Sequence, residues 1–325
     1  MMSQVLVTGG AGYIGSHVVR KLGDAGYDVI TYDNGSTGFA ERLTCGRLIL
    51  GDVSDYKKLR QVFHDYDIDS VLHFAASIVV PDSIKSPLAY YINNTGNTLN
   101  LLQVCQEFKV KHLVFSSTAA VYGEPGELPI SESSPTMPIN PYGRSKLMSE
   151  WMIRDYSQAS ELRHLILRYF NVAGANLSIP VGKSSSNTTH LIKVACQAAL
   201  GRRSAIEIFG TDFPTPDGTC IRDYIHVEDL AQAHLGALRY LESGGRSDIL
   251  NCGYGHGYSV REVIDAVKQV SGVGFSVVEG SPRLGDPACV VAETSRIRSV
   301  LRWEPTHDNL YDIVRTAYAW EQQTS

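Results

Sequence analysis

The chain of 325 residues carries 29 Lys and Arg against 34 Asp and Glu, a formal charge of −5 with a pI near 6.1. That balance lacks the basic footprint of a nucleic-acid or anionic-membrane binder, and 43% hydrophobic with 19% charged residues describes an ordinary soluble globular protein. Its length supports about two domains at roughly 150 residues each. The six cysteines, at 45, 105, 196, 220, 252 and 289, form neither CxxC pairs nor a zinc pattern with histidine, and no HExxH occurs, so no metal is expected. The sequence shows neither a charged leader with an apolar core nor an apolar run of about 18 residues, so the expected location is the cytoplasm. Three glycosylation-like matches, at Asn93, Asn176 and Asn187, carry no meaning there.

Short β-branched runs alternate with amphipathic ones from the start: VLVT (5–8), VITY (29–32), RLIL (47–50), VLHFA (71–75), HLVFSS (112–117) and HLILRYF (164–170). Helical patterns lie between them at 13–25, 55–65, 87–107 and 141–158. Strands that are apolar throughout and separated by helices predict an α/β fold, a Rossmann-type doubly wound parallel sheet, over residues 1–171. After Asn171 come a polar run, PVGKSSSNTT (180–189), read as a surface loop, and the Gly- and Pro-rich GTDFPTPDGT (210–219). Helix patterns at 227–241 and 259–270 follow, among scattered strands. Residues 172–325 are therefore expected to form mainly a smaller α/β substrate-binding region, with helix 227–241 packing back on the first domain.

VTGGAGYIGSHVVRKL (7–22) places Gly9, Gly12 and Gly15 between the first strand and the first helix. Such glycines serve a tight turn, a close approach of backbone to pyrophosphate and close helix packing, with the phosphates at the helix N-terminus. Asp33 ends the next strand, where a carboxylate accepts hydrogen bonds from the adenosine ribose and repels a 2′-phosphate, favouring NAD over NADP. Asp52, with Val53 beside it, either caps the following helix or accepts from the adenine amine. HFAAS (73–77) closes the fourth strand with the small residues that a passing dinucleotide requires.

In NPYGRSKLMSE (140–150), Asn140 is a good cap and Pro141 suits the first helical position, which sets Tyr142 and Lys146 on one face. Alone, that spacing also describes a packed ring and a solvated amine. A free tyrosine has a pKa near 10. Beside a dinucleotide, the Lys146 ammonium and the nicotinamide charge would stabilise its phenolate and make it a base. The strand ending at Ser116, Ser117 and Thr118 supplies a hydroxyl, Thr118, to hydrogen-bond the alcohol being oxidised.

Together with NNT (93–95), SSTAAVYG (116–123), LRYFNVAGA (167–175) and DGTCIRDYIHVEDL (217–230), these motifs resemble the extended short-chain dehydrogenase/reductase superfamily. More narrowly, they look like the UDP-glucose 4-epimerase (UDP-galactose 4-epimerase) family, over essentially the whole chain. The resemblance implies an NAD-dependent isomerase of galactose metabolism that interconverts UDP-galactose and UDP-glucose. Tyr142 takes the proton of the sugar 4-hydroxyl while hydride passes to tightly held NAD; the 4-keto sugar then turns to present its other face, and the hydride returns. Residues 1–171 would then hold NAD and 172–325 mainly the UDP-sugar.

The same resemblance extends the cofactor contacts to Tyr13, Ile14, Asn34, Phe74, Ala75, Ala76, Asn94, Ser116 and Tyr169. It assigns Asn171, His190, Leu191 and Arg222 to the nucleotide sugar, with Arg222 at the diphosphate. Phe209 would lie against the uracil, Arg283 and Asp286 near phosphate and ribose, and Val290 at the sugar; the alternative reading of Phe209 is core, and that of Asp286 a turn cap before Pro287. A homodimer through helices 87–107 and 141–158 is the family expectation.

Three positions depart from the family pattern. Ile78 stands where a cofactor-contacting lysine is common, and His190 where an asparagine is. Val290, beside Cys289, replaces the tyrosine of narrow enzymes and leaves room for an N-acetyl group, so UDP-N-acetylhexosamines are expected as further substrates. A 4,6-dehydratase would need an acidic pair after Thr118, where Ala119 and Ala120 stand. A UDP-pentose 4-epimerase is not separable on sequence. A non-catalytic NAD-binding protein predicts damage to Thr118, Tyr142 or Lys146, and all three are intact.

Overall fold

The structure, a computed structural model, describes residues 4–177, 190–283 and 286–323. The polar run 180–189, and with it Asn187, lies outside the described residues. The first part of the chain runs β1 (Gln4–Thr8), α1 (Tyr13–Asp24), β2 (Asp28–Asp33), β3 (Arg47–Leu50), α2 (Tyr56–Asp65), β4 (Ile68–His73), α3 (Val80–Lys85), α4 (Pro87–Tyr90), α5 (Asn97–Glu107), β5 (His112–Thr118), α6 (Pro141–Gln158) and β6 (Arg163–Tyr169). Alternate residues of each strand feed opposite cores, as a period of two demands. Val5, Val7, Leu72, Val114, Leu165 and Leu167 pack with α1 on one face. Leu6, Val71, Leu113, Phe115 and Ile166 pack with α2, α5 and α6 on the other.

The remainder runs β7 (Asn171–Ala173), α7 (Leu191–Ala199), β8 (Ala205–Phe209), β9 (Ile221–Arg222), β10 (Tyr224–His226), α8 (Val227–Glu242), β11 (Asp248–Cys252), β12 (Tyr258–Ser259), α9 (Val260–Ser271), β13 (Ser276–Gly280), β14 (Cys289–Val290), α10 (Ser295–Leu301) and α11 (Leu310–Gln323). It builds small sheets from β7 with β10, β8 with β13, and β9 between β12 and β14. It also returns to the main sheet. There α8 lies against α1, β5 and β6, and β11 pairs in parallel with β6, Ile249 beside Ile166. The result is a seven-stranded parallel sheet in the order β11-β6-β5-β4-β1-β2-β3. Its strand order reverses between β1 and β4, which opens a crevice at the carboxyl ends of the strands.

The pattern at 87–107, read as one helix, is instead α4, a wider π turn over Tyr91–Gly96, and α5. Tertiary hydrogen bonds explain the break: the amide of Asn94 accepts from Ser77 N–H (2.8 Å) and donates to Ser145 Oγ (2.9 Å), which holds the turn against α6. At 141 the local rules prevail. Asn140 Oδ1 accepts from Gly143 N–H at 2.8 Å, and Pro141 occupies the first turn of α6.

Candidate active site

At the switch point Gly9 adopts a left-handed φ of 71°, and a Cβ there would stand 2.6 Å from Ala75 N. The β1–α1 turn is thus pressed on the end of β4, where Phe74, Ala75 and Ala76 follow. A Cβ on Gly15 would crowd Gly10 Cα at 2.7 Å. Gly12 differs, since its Cβ would meet only Gly9 O, at 3.2 Å. The open side of the turn therefore lies at Gly12, beside Tyr13 and Ile14 at the helix start, where backbone N–H groups favour an anion.

Asp33, at the end of β2, accepts from Ala11 N–H (3.0 Å) and Gly35 N–H (2.8 Å), which aims its carboxylate at the same crevice. Asn34 donates to Asp52 at 2.6 Å, and Ser54 N–H donates to Asp52 at 2.8 Å. Burial pushes Asp52 up, but these hydrogen bonds outweigh it and hold the carboxyl below its ordinary value. Asp55, with Asp52 and Val53 just before it, caps α2. A glycine turn least crowded at Gly12, a helix N-terminus and a carboxylate at the second strand end fit a dinucleotide.

Across the crevice, α6 is fastened by a buried polar ladder. Thr8 Oγ1 and His73 Nδ1 are 2.6 Å apart, His73 Nε2 reaches Thr98 Oγ1 at 3.1 Å, and Ser149 Oγ reaches the same Thr98 at 3.3 Å. Burial pulls His73 down to about 3, so it serves this ladder as a neutral ring. The signals were a histidine inside an apolar strand and two serines four apart in α6. Neither reveals its partner, because the partners sit on other elements.

The ladder sets Tyr142 and Lys146 beside the end of β5. Tyr142 hydrogen-bonds Thr118, and Thr118 Oγ1 accepts from Ala120 N–H at 3.1 Å. Lys146, only 3% exposed, donates to the Ser116 carbonyl at 2.8 Å and lies 4.8 Å from the Phe115 ring centre. Ser116 Oγ and Tyr169 Oη share a hydrogen bond of 2.5 Å. Burial pushes the Tyr142 phenol up to about 12, against the pull of Thr118, and brings Lys146 down to about 7, against the pull of Glu150. The protein by itself thus holds a neutral phenol beside a lysine that titrates near neutrality. Any added positive charge favours the phenolate.

The residues expected at the nucleotide sugar fall into two groups. Asn171 opens β7, its side chain hydrogen-bonded to Tyr224. With His190 and Leu191 at the start of α7, and with Tyr13, it lines one cavity. Tyr13 Oη donates to Gly174 O at 2.6 Å, tying the glycine turn to the segment after β7. The second group gathers about β9. Arg222 pairs with Asp286 at 2.9 Å, and Val290 sits beside Arg222 in register. The Arg283 guanidinium lies 3.7 Å from the Phe209 ring centre. Phe209 is therefore a partly exposed ring under an arginine at the end of β8, and Asp286 is an ion-pair partner as well as a turn residue. Ile78 is 55% exposed. Glu150, Arg168, Tyr122 and His234 were not singled out from sequence, although all are buried at these strand ends.

A parallel sheet with a glycine turn at its switch point and a buried tyrosine–lysine pair facing that turn defines a dinucleotide-dependent enzyme of the short-chain dehydrogenase/reductase type. Residues 5–253 match the model of the NAD dependent epimerase/dehydratase family, and the chain belongs to it. It is 54% identical to the UDP-glucose 4-epimerase of Azospirillum brasilense over 98% of this chain and 92% of that protein. The solved UDP-glucose 4-epimerase of Brucella ovis, in complex with NAD, is 42% identical, with a TM-score of 0.95 and 98% of each chain covered. The UDP-Glc/GlcNAc 4-epimerase of Campylobacter jejuni is 47% identical, with a TM-score of 0.88 and 99% of each chain covered. Among the described residues no helix is long and apolar enough to cross a membrane.

Proposed function

We propose that this chain interconverts UDP-galactose and UDP-glucose by NAD-dependent, redox-neutral epimerisation at the sugar 4-position. The carrying observation is the buried group of Thr118, Tyr142 and Lys146 at the strand ends where the glycine turn lies. When bound, NAD accepts the hydride of sugar carbon 4, returns it, and contributes a positively charged ring. The turn of Gly9, Gly12, Tyr13, Ile14 and Gly15 holds its pyrophosphate, Asp33 with Asn34 its adenosine ribose, Asp52 with Val53 its adenine, and Lys146 its second ribose. Phe74, Ala75, Ala76, Asn94, Ser116 and Tyr169 wall the crevice. Tyr142 takes the proton of the 4-hydroxyl and gives it back, while Thr118 orients that hydroxyl. Lys146 moves the phenol towards ionisation by its field. Arg222 holds the diphosphate, Arg283 and Asp286 the phosphate and ribose, Phe209 the uracil, and Asn171, His190 and Leu191 the rest of the nucleotide.

Val290 supports a second substrate class. A side chain of its size leaves volume beside the sugar, so UDP-N-acetylhexosamines turn over as well. The test is to incubate the protein with UDP-galactose, without added cofactor, and follow UDP-glucose by chromatography. Conversion is expected, and Tyr142→Phe lowers it by about 10²–10⁴-fold. No conversion even after NAD is supplied would overturn the reading, and inertness towards UDP-N-acetylglucosamine would remove the second class.

A homodimer is part of the same proposal. Leu88, Ile92 and Leu99 are 73%, 68% and 47% exposed, and Met148 and Trp151 of α6 are 40% and 51% exposed. The segment from α4 through the π turn to α5, together with α6, thus offers an apolar stripe of the kind that protein interfaces cover. The six unpaired cysteines support a reducing location, the cytoplasm, which cell fractionation would check.

A further inference from the structure

A continuous run of buried hydrogen bonds connects the catalytic helix to the strand that carries Val290. Glu150, one turn beyond Lys146 on α6, accepts from Ser117 Oγ (2.5 Å) and from Arg168 Nε (3.0 Å) and Nη2 (2.5 Å). Arg168 Nη1 donates to Tyr122 Oη at 3.1 Å, and Tyr122 Oη donates to Asn251 Oδ1 at 2.7 Å. The Asn251 amide donates to the Ile130 carbonyl at 2.8 Å. Ile130 in turn grips the strand after Val290: its N–H donates to Val291 O (2.8 Å), and its carbonyl accepts from Glu293 N–H (2.8 Å). On the other side Asp223 holds the same strand, its N–H on Val290 O (3.1 Å) and its carboxylate accepting from Ala292 N–H (3.2 Å).

Glu150, Arg168, Tyr122, Asn251 and Ile130 are all buried. Each therefore needs the partner it has, and removing one link leaves unsatisfied groups on both sides of it. The Tyr122 ring also belongs to a small apolar cluster with Leu147 of α6, Phe170 and Ala292, and Val290 rests against that cluster.

We infer that Tyr122 is a positioning residue for substrate choice. Its hydroxyl, acting through Asn251 and Ile130, fixes how far the Val290 wall stands from the sugar, and so the acceptance of an N-acetyl group at the sugar 2-position relative to a hydroxyl. The inference rests on the function proposed above. Pocket contacts of methyl size change selectivity by about ten-fold or more, so a small displacement of this wall is measurable.

The test uses holoenzyme carrying Tyr122→Phe, which removes one oxygen and keeps the ring. Three constants are measured: the KM for UDP-galactose, the inhibition constant of UDP-N-acetylglucosamine against that turnover, and the affinity for UDP. The expected result is a fall of about threefold or more in the ratio of the inhibition constant to KM, with UDP affinity unchanged. Asn251→Ala cuts the run one link nearer the wall and produces the same shift, so it decides the matter if Tyr122→Phe fails to fold. An unchanged ratio accompanied by a lower melting temperature would overturn the inference, since it marks a role in stability alone. A UDP affinity that moves in step with the sugar constants would overturn it as well. A wild-type protein that neither turns over nor binds any UDP-sugar would remove the proposed function and this inference together, an outcome distinct from an unchanged ratio in active enzyme.

Discussion

Lys146 holds its ammonium on a single backbone carbonyl inside the protein, and the consequence for stability has a definite sign. Burial depresses its pKa from 10.5 in the unfolded chain to about 7 in the fold. Below pH 7 both states carry the proton, and the full cost of the buried charge is present. Between pH 7 and 10.5 the folded protein gives up its proton first, so this lysine's penalty shrinks as pH rises. Lys146→Met should therefore stabilise the cofactor-free protein more at pH 6 than at pH 9.5, by about 3 kcal/mol in denaturant titrations. Equal gains at both pH values would mean that the lysine is not strained. At this scale the sequence was informative where a local rule applied: the Asn140 cap and Pro141 set Tyr142 and Lys146 on one face. It was silent on Glu150, which reads as a solvated helical acid until Arg168, from another strand, is brought to it.

Among the elements, the glycine turn separates two needs that its spacing combines. Gly15 is required by packing, because its Cβ would enter the backbone of Gly9 and Gly10, whereas a Cβ on Gly12 would press on a single backbone oxygen, Gly9 O, at 3.2 Å. Gly15→Ala is expected to cost about 1–3 kcal/mol of folding stability by overpacking. Gly12→Ala is expected to cost less stability than Gly15→Ala and to lose NAD affinity by about tenfold or more. Thermal melts and NAD titration of the two variants would check this, and matching losses of stability would contradict it. The strands and most helices were legible because both faces of the sheet are covered, which makes each strand apolar throughout. The π turn at 91–96 was not, since no local propensity encodes it. It follows from Asn94 reaching two serines on other elements.

For the whole molecule, the exposed stripe on α4, α5 and α6 leads to an expectation about assembly. Trp151→Asp places a charge in the middle of it and should convert a dimer into a folded monomer, read by sedimentation velocity together with an unchanged far-ultraviolet spectrum. A wild-type protein that sediments as a monomer at micromolar concentration would dispose of the homodimer. The doubly wound architecture itself was evident in the alternation of runs over the first half of the sequence. The return of strand β11 to the sheet was not, because it is short and resembles the scattered strands around it. Only the open edge of β6 gives DILNC its place.

That return has a consequence for how the protein is made. The chain leaves the sheet at Tyr169 and supplies the strand beside β6 only at Asp248–Cys252. A nascent chain that has emerged only as far as β6 presents an unpaired parallel edge bearing Leu165 and Leu167, and an α1 that still lacks its cover from α8. Such edges invite pairing with other chains. Translation must therefore pass Cys252 before the glycine turn has its final support. The glycine turn precedes β11 in sequence and is completed only after it.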